Sequence, residues 1–330
     1  MTRWDDWTWE ERSQPADAPT AETTPPEEVP HGVTVAAGTS GTRAPHVFRR
    51  RRAAAAGVVL VLAVVLVAAV WFKGGSGKAH PSTRVHTVKL TPSAAAQAAT
   101  REAAERAAID HVLSYTPAVT SGGASGDEVA LTFDDGPGPY TPRLVAELNR
   151  LKVHATFFAV GEEERYFSEG TAAEVQSGDV IGDHTETHPM MAQLSPHDQY
   201  DELFEQMAQV EVVGAKRPRL FRPPFGSFDA TTFKELHHLH LLMVLWSVDT
   251  ADYTLPGVQT IVQRALAGAK PGAIVLLHDA GGERSQTIAA LPAIVAGLRK
   301  RGLEPVTVPK LLQDDPPPAG QPIPTALSGG

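Results

Sequence analysis

The chain has 330 residues, room for one large domain or two ordinary ones, and a formal charge of -9 from acids dispersed along it. It contains no cysteine, which excludes disulfides, thiolate nucleophiles and sulfur-ligated metals. Outside one arginine run there is no basic block, so no nucleic-acid surface is expected.

Residues 1–48 are rich in Pro, Thr, Ala, Glu and Asp, too polar to offset the entropy of ordering. A disordered tail with a basic flank is expected over 1–52, with Trp4, Trp7 and Trp9 as a short partner motif. Arg49, Arg50, Arg51 and Arg52 then precede twenty uncharged residues, 53–72. At about 1.5 Å per residue these cross roughly the 30 Å hydrocarbon core, so a single transmembrane helix is expected. A cleaved signal peptide would have a shorter apolar run nearer the N-terminus. Trp71 and Phe72 suit the far interface, and the arginines outnumber Lys73 and Lys78 beyond it. The positive-inside rule then makes the N-terminus cytoplasmic and the rest extracellular, with the lipid bilayer as a partner.

Residues 73–126 read as an extracellular linker carrying a stalk helix over 94–113, which has strong helix propensity but a thin apolar stripe. The glycine-rich stretch 121–126 reads as a flexible break, so the folded domain is expected over 127–312. The Pro-rich residues 313–330 are expected to be disordered. Within 127–312, strand patterns at 128–133, 155–160, 180–182, 220–222, 241–246, 273–277 and 306–308 alternate with helical patterns. Apolar strands alternating with helices give an α/β fold with a parallel sheet. The spacing predicts a distorted or incomplete parallel (β/α) barrel of about seven strands.

In such barrels the chemistry sits at the C-terminal ends of strands. Those ends here carry Asp134-Asp135, His184, Arg222, Asp249 and His278-Asp279, a density of ionisable groups that scattered surface charge does not explain. Leu131-Thr132-Phe133-Asp134-Asp135-Gly136-Pro137 runs a strand into two acids and a break; alone, it reads equally well as an acidic turn. His184 and His188, four apart, suit a divalent metal with Asp135 as a third ligand. The plainer reading is two loop histidines that only hydrogen-bond. Such a set suits Zn²⁺, but also Co²⁺, Ni²⁺ or Fe²⁺. Arg222 before Pro223-Pro224-Phe225-Gly226 reads either as a guanidinium aimed at a carboxylate or as a structural ion pair. Asp249, Asp252 and His278 supply later carboxylates and an imidazole that an acid can keep protonated. His237, His238 and His240 lie on or beside a helix and read as surface.

Taken in order, Thr-Phe-Asp-Asp-Gly, His-Thr-x-x-His, Arg-Pro-Pro-Phe-Gly, Asp-x-x-Asp-Tyr and Leu-x-His-Asp resemble the polysaccharide deacetylases, the NodB homology domain of carbohydrate esterase family four. The resemblance covers roughly residues 127–312 and implies a role for each matching position. Asp134 would be the general base, Arg222 its partner, and Asp135, His184 and His188 the metal ligands. His278 would be the general acid with Asp252 setting its charge. The backbone N–H of Tyr140 would join an oxyanion site, and Trp246 and Leu276 would line the acetyl pocket beside Pro223 and Phe225. Tyr253 departs from the family, where many members have Trp. The resemblance implies hydrolysis of N-acetyl groups on cell-wall glycan, peptidoglycan above all, by a metal-activated water. Two other readings stand beside it: an O-acetyl esterase on xylan or another glycan, and a catalytically silent glycan-binding protein.

Overall fold

The computed structural model describes residues 94–322. The expected tail, transmembrane span and first part of the linker, and residues 323–330, lie outside the described residues. Among the described residues no helix is long and apolar enough to cross a membrane.

Among the described residues nine strands form one sheet: β1 (Ala118–Val119), β2 (Glu128–Gly136), β3 (Thr156–Ala159), β4 (Val180–Asp183), β5 (Leu220–Phe221), β6 (Leu242–Val244), β7 (Val248–Asp249), β8 (Ile274–His278) and β9 (Glu304–Val306). Their order is β1-β6-β5-β4-β3-β2-β8-β7, every pairing is parallel, and β9 joins the base of β2. The path does not close on itself, which is the expected incomplete barrel. The two strands missed in the sequence, β1 and β7, are two residues long, too short to show a period.

The helices are α1 (Ala94–Leu113), α2 (Thr141–Leu151), α3 (Gly161–Tyr166), α4 (Ser168–Ser177), α5 (Pro196–Val212), α6 (Ala230–Leu239), α7 (Val258–Gly268), α8 (Ser285–Lys300) and α9 (Val308–Asp314). Alternation along the central strands divides their side chains between two cores. Val129, Leu131 and Phe133 of β2, with Val275 and Leu277 of β8, face α2, α7 and α8. Ala130, Ile274 and Val244 face inward, where Ile109 and Val112 of α1 and Val308 and Leu311 of α9 close the base. A third cluster packs Leu203 and Met207 of α5 and Leu236 of α6 on Phe221 and Met243.

The folded unit is therefore wider than the 127–312 expected. Helix α1 has the expected bounds, but Ala108, Ile109 and Val112 are buried against the barrel base, so it is a plug and not a free stalk. Three apolar positions at helical spacing suffice here because α9 completes the seal. The glycine-rich break is also pinned, with Gly122 N–H donating to the Gly272 carbonyl (2.8 Å) and Gly123 N–H to the Asp315 carbonyl (2.7 Å). Part of the Pro-rich tail is ordered too. Asp315 accepts from the Ser125 and Gly126 amides at 2.6 and 2.7 Å, and Tyr115 hydroxyl donates to the Pro317 carbonyl at 2.7 Å. These are main-chain and single-side-chain anchors, invisible to composition. Ile109→Ala is expected to lower unfolding free energy by about 2–4 kcal/mol; a free stalk would give a change within about 0.5 kcal/mol in a denaturant titration.

Candidate active site

The site lies at the C-terminal ends of β2, β4, β5 and β8. Asp134 and Asp135 are adjacent in β2, so regular pleating would send them to opposite faces. The register with β3 shifts between Asp134 and Gly136, and Asp135 has φ 72°, in the left-handed region that few side chains adopt. That irregularity turns both carboxylates to one side. The bulge does this inside the strand, before the break at Gly136-Pro137. Gly281 makes room for it, since a Cβ there would meet Asp135 Oδ2 at 2.4 Å.

Asp135 Oδ1 lies 3.5 Å from His184 Nε2 and 3.1 Å from His188 Nε2. These three donors are the group among the described residues whose ligand atoms all lie within 4.8 Å of one another. His184 directly follows β4, and its Nδ1 is 2.7 Å from the Arg222 carbonyl, a pairing in which Nδ1–H donates. That bond fixes the ring and turns Nε2 toward Asp135. Burial works against the Asp135 charge, but hydrogen bonds from both imidazoles hold its carboxyl well below the usual carboxylate range. Two nitrogens and one carboxylate oxygen drawn together are a donor set that fits a divalent cation.

Arg222 follows β5 and is wholly buried, yet its donors are engaged. Nη1–H donates to Asp134 Oδ1 at 2.7 Å and to Thr132 Oγ1 at 2.8 Å. Nε–H and Nη2–H donate to the Val244 and Leu245 carbonyls at 2.9 and 3.2 Å. The guanidinium stacks 4.1 Å from the Phe158 ring centroid and 5.7 Å from that of Trp246. Asp134 thus has one oxygen held, while Oδ2 faces the ligand cluster, 3.9 Å from His184 Nε2. Thr132 was not singled out in the sequence, although its place two residues before Asp134 puts it on the same strand face.

His278 ends β8 in register with Asp134. Its Nδ1 is 2.7 Å from Asp252 Oδ1, its amide donates to Asp252 Oδ2 at 2.9 Å, and Thr287 of α8 donates to the same oxygen at 2.7 Å. Thr287 is the second residue that sequence reading missed, and nothing local marks it. Burial depresses the imidazole, but the Asp252 hydrogen bond and charge, with Asp135 and Asp134, outweigh it and raise the pKa to about 9. The imidazolium is therefore present below about pH 9 and lost above it. Asp252→Asn removes the two largest causes that oppose burial, leaving only Asp135 and Asp134, so the alkaline limb of the kcat profile should move to clearly lower pH. An unmoved limb would mean that Asp252 does not set this proton.

The other expected residues take varied places. Tyr140 is the N-cap of α2. Leu276 is buried in β8 beside Thr132, and Trp246 is half-buried after β6. Pro223 is buried, whereas Phe225 is half exposed with its ring 4.7 Å from that of His188. Tyr253 is partly exposed with its ring 5.2 Å from that of His278, so the two aromatics flank the centre. Asp249 accepts from the Ala251 amide at 2.7 Å and caps that turn. His237, His238 and His240 stay at the end of α6, before β6 begins, away from the strand ends that carry the site. Asp279 turns inward to accept from the Thr141 hydroxyl.

Two features, the incomplete parallel barrel and the cluster of ionisable groups on its strand ends, define a candidate active site of the β/α class. A family model described as polysaccharide deacetylase matches residues 121–244. Peptidoglycan-N-acetylglucosamine deacetylase from Bacillus cereus is 39% identical over 188 residues, covering 56% of this chain and 88% of the relative. Chitooligosaccharide deacetylase from Bradyrhizobium is 36% identical over 196 residues, covering 56% of this chain and 90% of the relative. The crystal structure of the Bc1960 peptidoglycan N-acetylglucosamine deacetylase superposes with a TM-score of 0.59 at 31% identity, over 63% of this chain and 97% of that one. The chain belongs to the polysaccharide deacetylase family.

Proposed function

We propose that the protein is a metal-dependent N-deacetylase of cell-wall glycan, with peptidoglycan N-acetylglucosamine as the favoured substrate and chitin-like oligomers next. The observation that carries this reading is the Asp135–His184–His188 cluster beside Asp134, with His278 in register with Asp134 on the next strand. Asp135, His184 and His188 would hold the cation, with zinc favoured by the donor set and cobalt or nickel also suited. Bound there, a divalent cation supplies Lewis acidity to a water and to the acyl oxygen.

The chain's own groups perform the proton transfers. Asp134 Oδ2 accepts the proton of the attacking water, while Arg222 fixes Oδ1 and neutralises the buried charge. The water oxygen bonds to the acetyl carbon, and the Tyr140 N–H, at the electropositive start of α2, donates to the developing oxyanion. His278 Nε2, the ring nitrogen not tied to Asp252, gives its proton to the departing nitrogen as the C–N bond breaks. Acetate and a free amine result, and no covalent intermediate on the protein is required. Leu276 and Trp246 offer the apolar wall for the methyl group, beside Pro223 and Phe225.

The arginine run and uncharged span at 49–72 support a single-pass membrane protein whose catalytic domain lies outside, next to the wall. Acetate release should be compared on N-acetylglucosamine oligomers, purified peptidoglycan and O-acetylated xylan. Release from the two N-acetylated substrates is expected; release from xylan alone would establish the esterase, and glycan binding with no release the silent reading.

A further inference from the structure

The two histidine ligands are joined by three residues, Thr185 to Thr187, in a segment whose backbone is unfavourable. Thr185 has φ 71° and His188 φ 61°, both left-handed conformations for residues with side chains. His184 is fixed independently by its place at the end of β4 and by the Arg222 carbonyl. His188 has no strand to hold it, so its place depends on what braces the loop. The first half is held from the N-terminus of α3, where Gly161 and Glu162 amides donate to the Thr185 and Glu186 carbonyls at 3.0 and 2.9 Å. The second half is held from the other side. Glu202, in the second turn of α5, accepts from the Thr187 amide at 2.8 Å and from the Thr187 hydroxyl at 2.6 Å. One carboxylate thus grips both donors of the residue just before His188.

We propose that Glu202 is a positioning residue of the metal site, setting cation affinity by holding Thr187, and with it His188, against Asp135. The inference rests on the metal-site reading above. A carboxylate that accepts two hydrogen bonds from one residue restrains that residue's backbone as well as its side chain. Partners that orient a ligand without touching the metal commonly change affinity by about 10–100-fold when removed.

The test is a zinc titration of the full-length, metal-stripped protein against a chromophoric chelator, a readout independent of activity. Wild type should bind one equivalent and Asp135→Ala should lose that binding; failure of wild type to bind would remove the metal-site reading itself. With wild type binding, Glu202→Ala should weaken zinc by about tenfold or more, while the melting temperature of the metal-free protein changes little. Glu205→Ala, which removes the same charge from the same helix, should leave affinity near wild type. Thr187→Val deletes the hydroxyl donor and should give an intermediate loss that adds little on top of Glu202→Ala. If Glu202→Ala does not fold, Glu202→Gln and Thr187→Val carry the test with partial losses. Affinity unchanged in these variants, or lowered equally in Glu205→Ala, would overturn the proposal.

Discussion

Asp134→Asn is expected to lower kcat for acetate release by about 10²–10⁴-fold, the usual scale for loss of a general base. The variant keeps the shape of the side chain and an oxygen for Arg222, so the fold should survive. It removes no group from the Asp135–His184–His188 cluster, so zinc affinity should stay near wild type. Asp135→Asn should do the reverse, weakening zinc first and activity in consequence. The contrast is informative because the two acids are neighbours in β2, separated in role only by the bulge at φ 72°. Steady-state kinetics at saturating metal, paired with zinc titration, read the two effects separately. Full activity in Asp134→Asn would remove it from the proton path.

The second large effect concerns stability. Glu164 of α3 and Glu174 of α4 are fully buried, and none of their carboxyl oxygens has a hydrogen-bond partner among the described residues. Burial, with Asp183 and Glu186 nearby, raises the Glu164 pKa to about 9; burial, with Asp279, pushes Glu174 well above the carboxylate range. A carboxyl raised in the folded state binds its proton more tightly there than in the unfolded chain. The contribution of Glu164 to stability is therefore most favourable below the ordinary value of 4.5 and is lost progressively as pH rises towards about 9. At 1.36 kcal/mol per unit the Glu164 effect is on the order of a few kcal/mol at pH 8. Glu164→Gln or Glu174→Gln should raise the melting temperature at pH 8 by several degrees, with little change at pH 5. Thermal unfolding across that range checks it, and variants that melt in parallel with wild type at every pH would contradict it.

How much of this was legible in the sequence depends on where each contact comes from. Strands β2 to β6 and β8 were placed to within about three residues, β9 lies two residues before its expected place, and the two-residue β1 and β7 were missed. The strand-end rule located Asp134, His184, Arg222 and His278 because a parallel sheet brings successive strand ends together whatever the loops do. Contacts made by single residues across long stretches of chain were hidden. The Arg222 carbonyl on His184, Thr287 on Asp252 and Asp315 on the Ser125–Gly126 turn each join segments far apart in the chain. The stalk reading of α1 failed for a related reason. Its apolar stripe is thin because it needs to fill only the base of the barrel, with α9 covering the rest. The positive φ of Asp135 is a third case, a backbone choice that only the site's geometry explains.

The most direct test of the central claim is acetate release from N-acetylglucosamine oligomers by metal-stripped protein as zinc is added back. Activity should be absent without metal, rise in proportion to zinc and level off at one equivalent per chain. Undiminished release after stripping, or no release at any zinc concentration, would contradict the account.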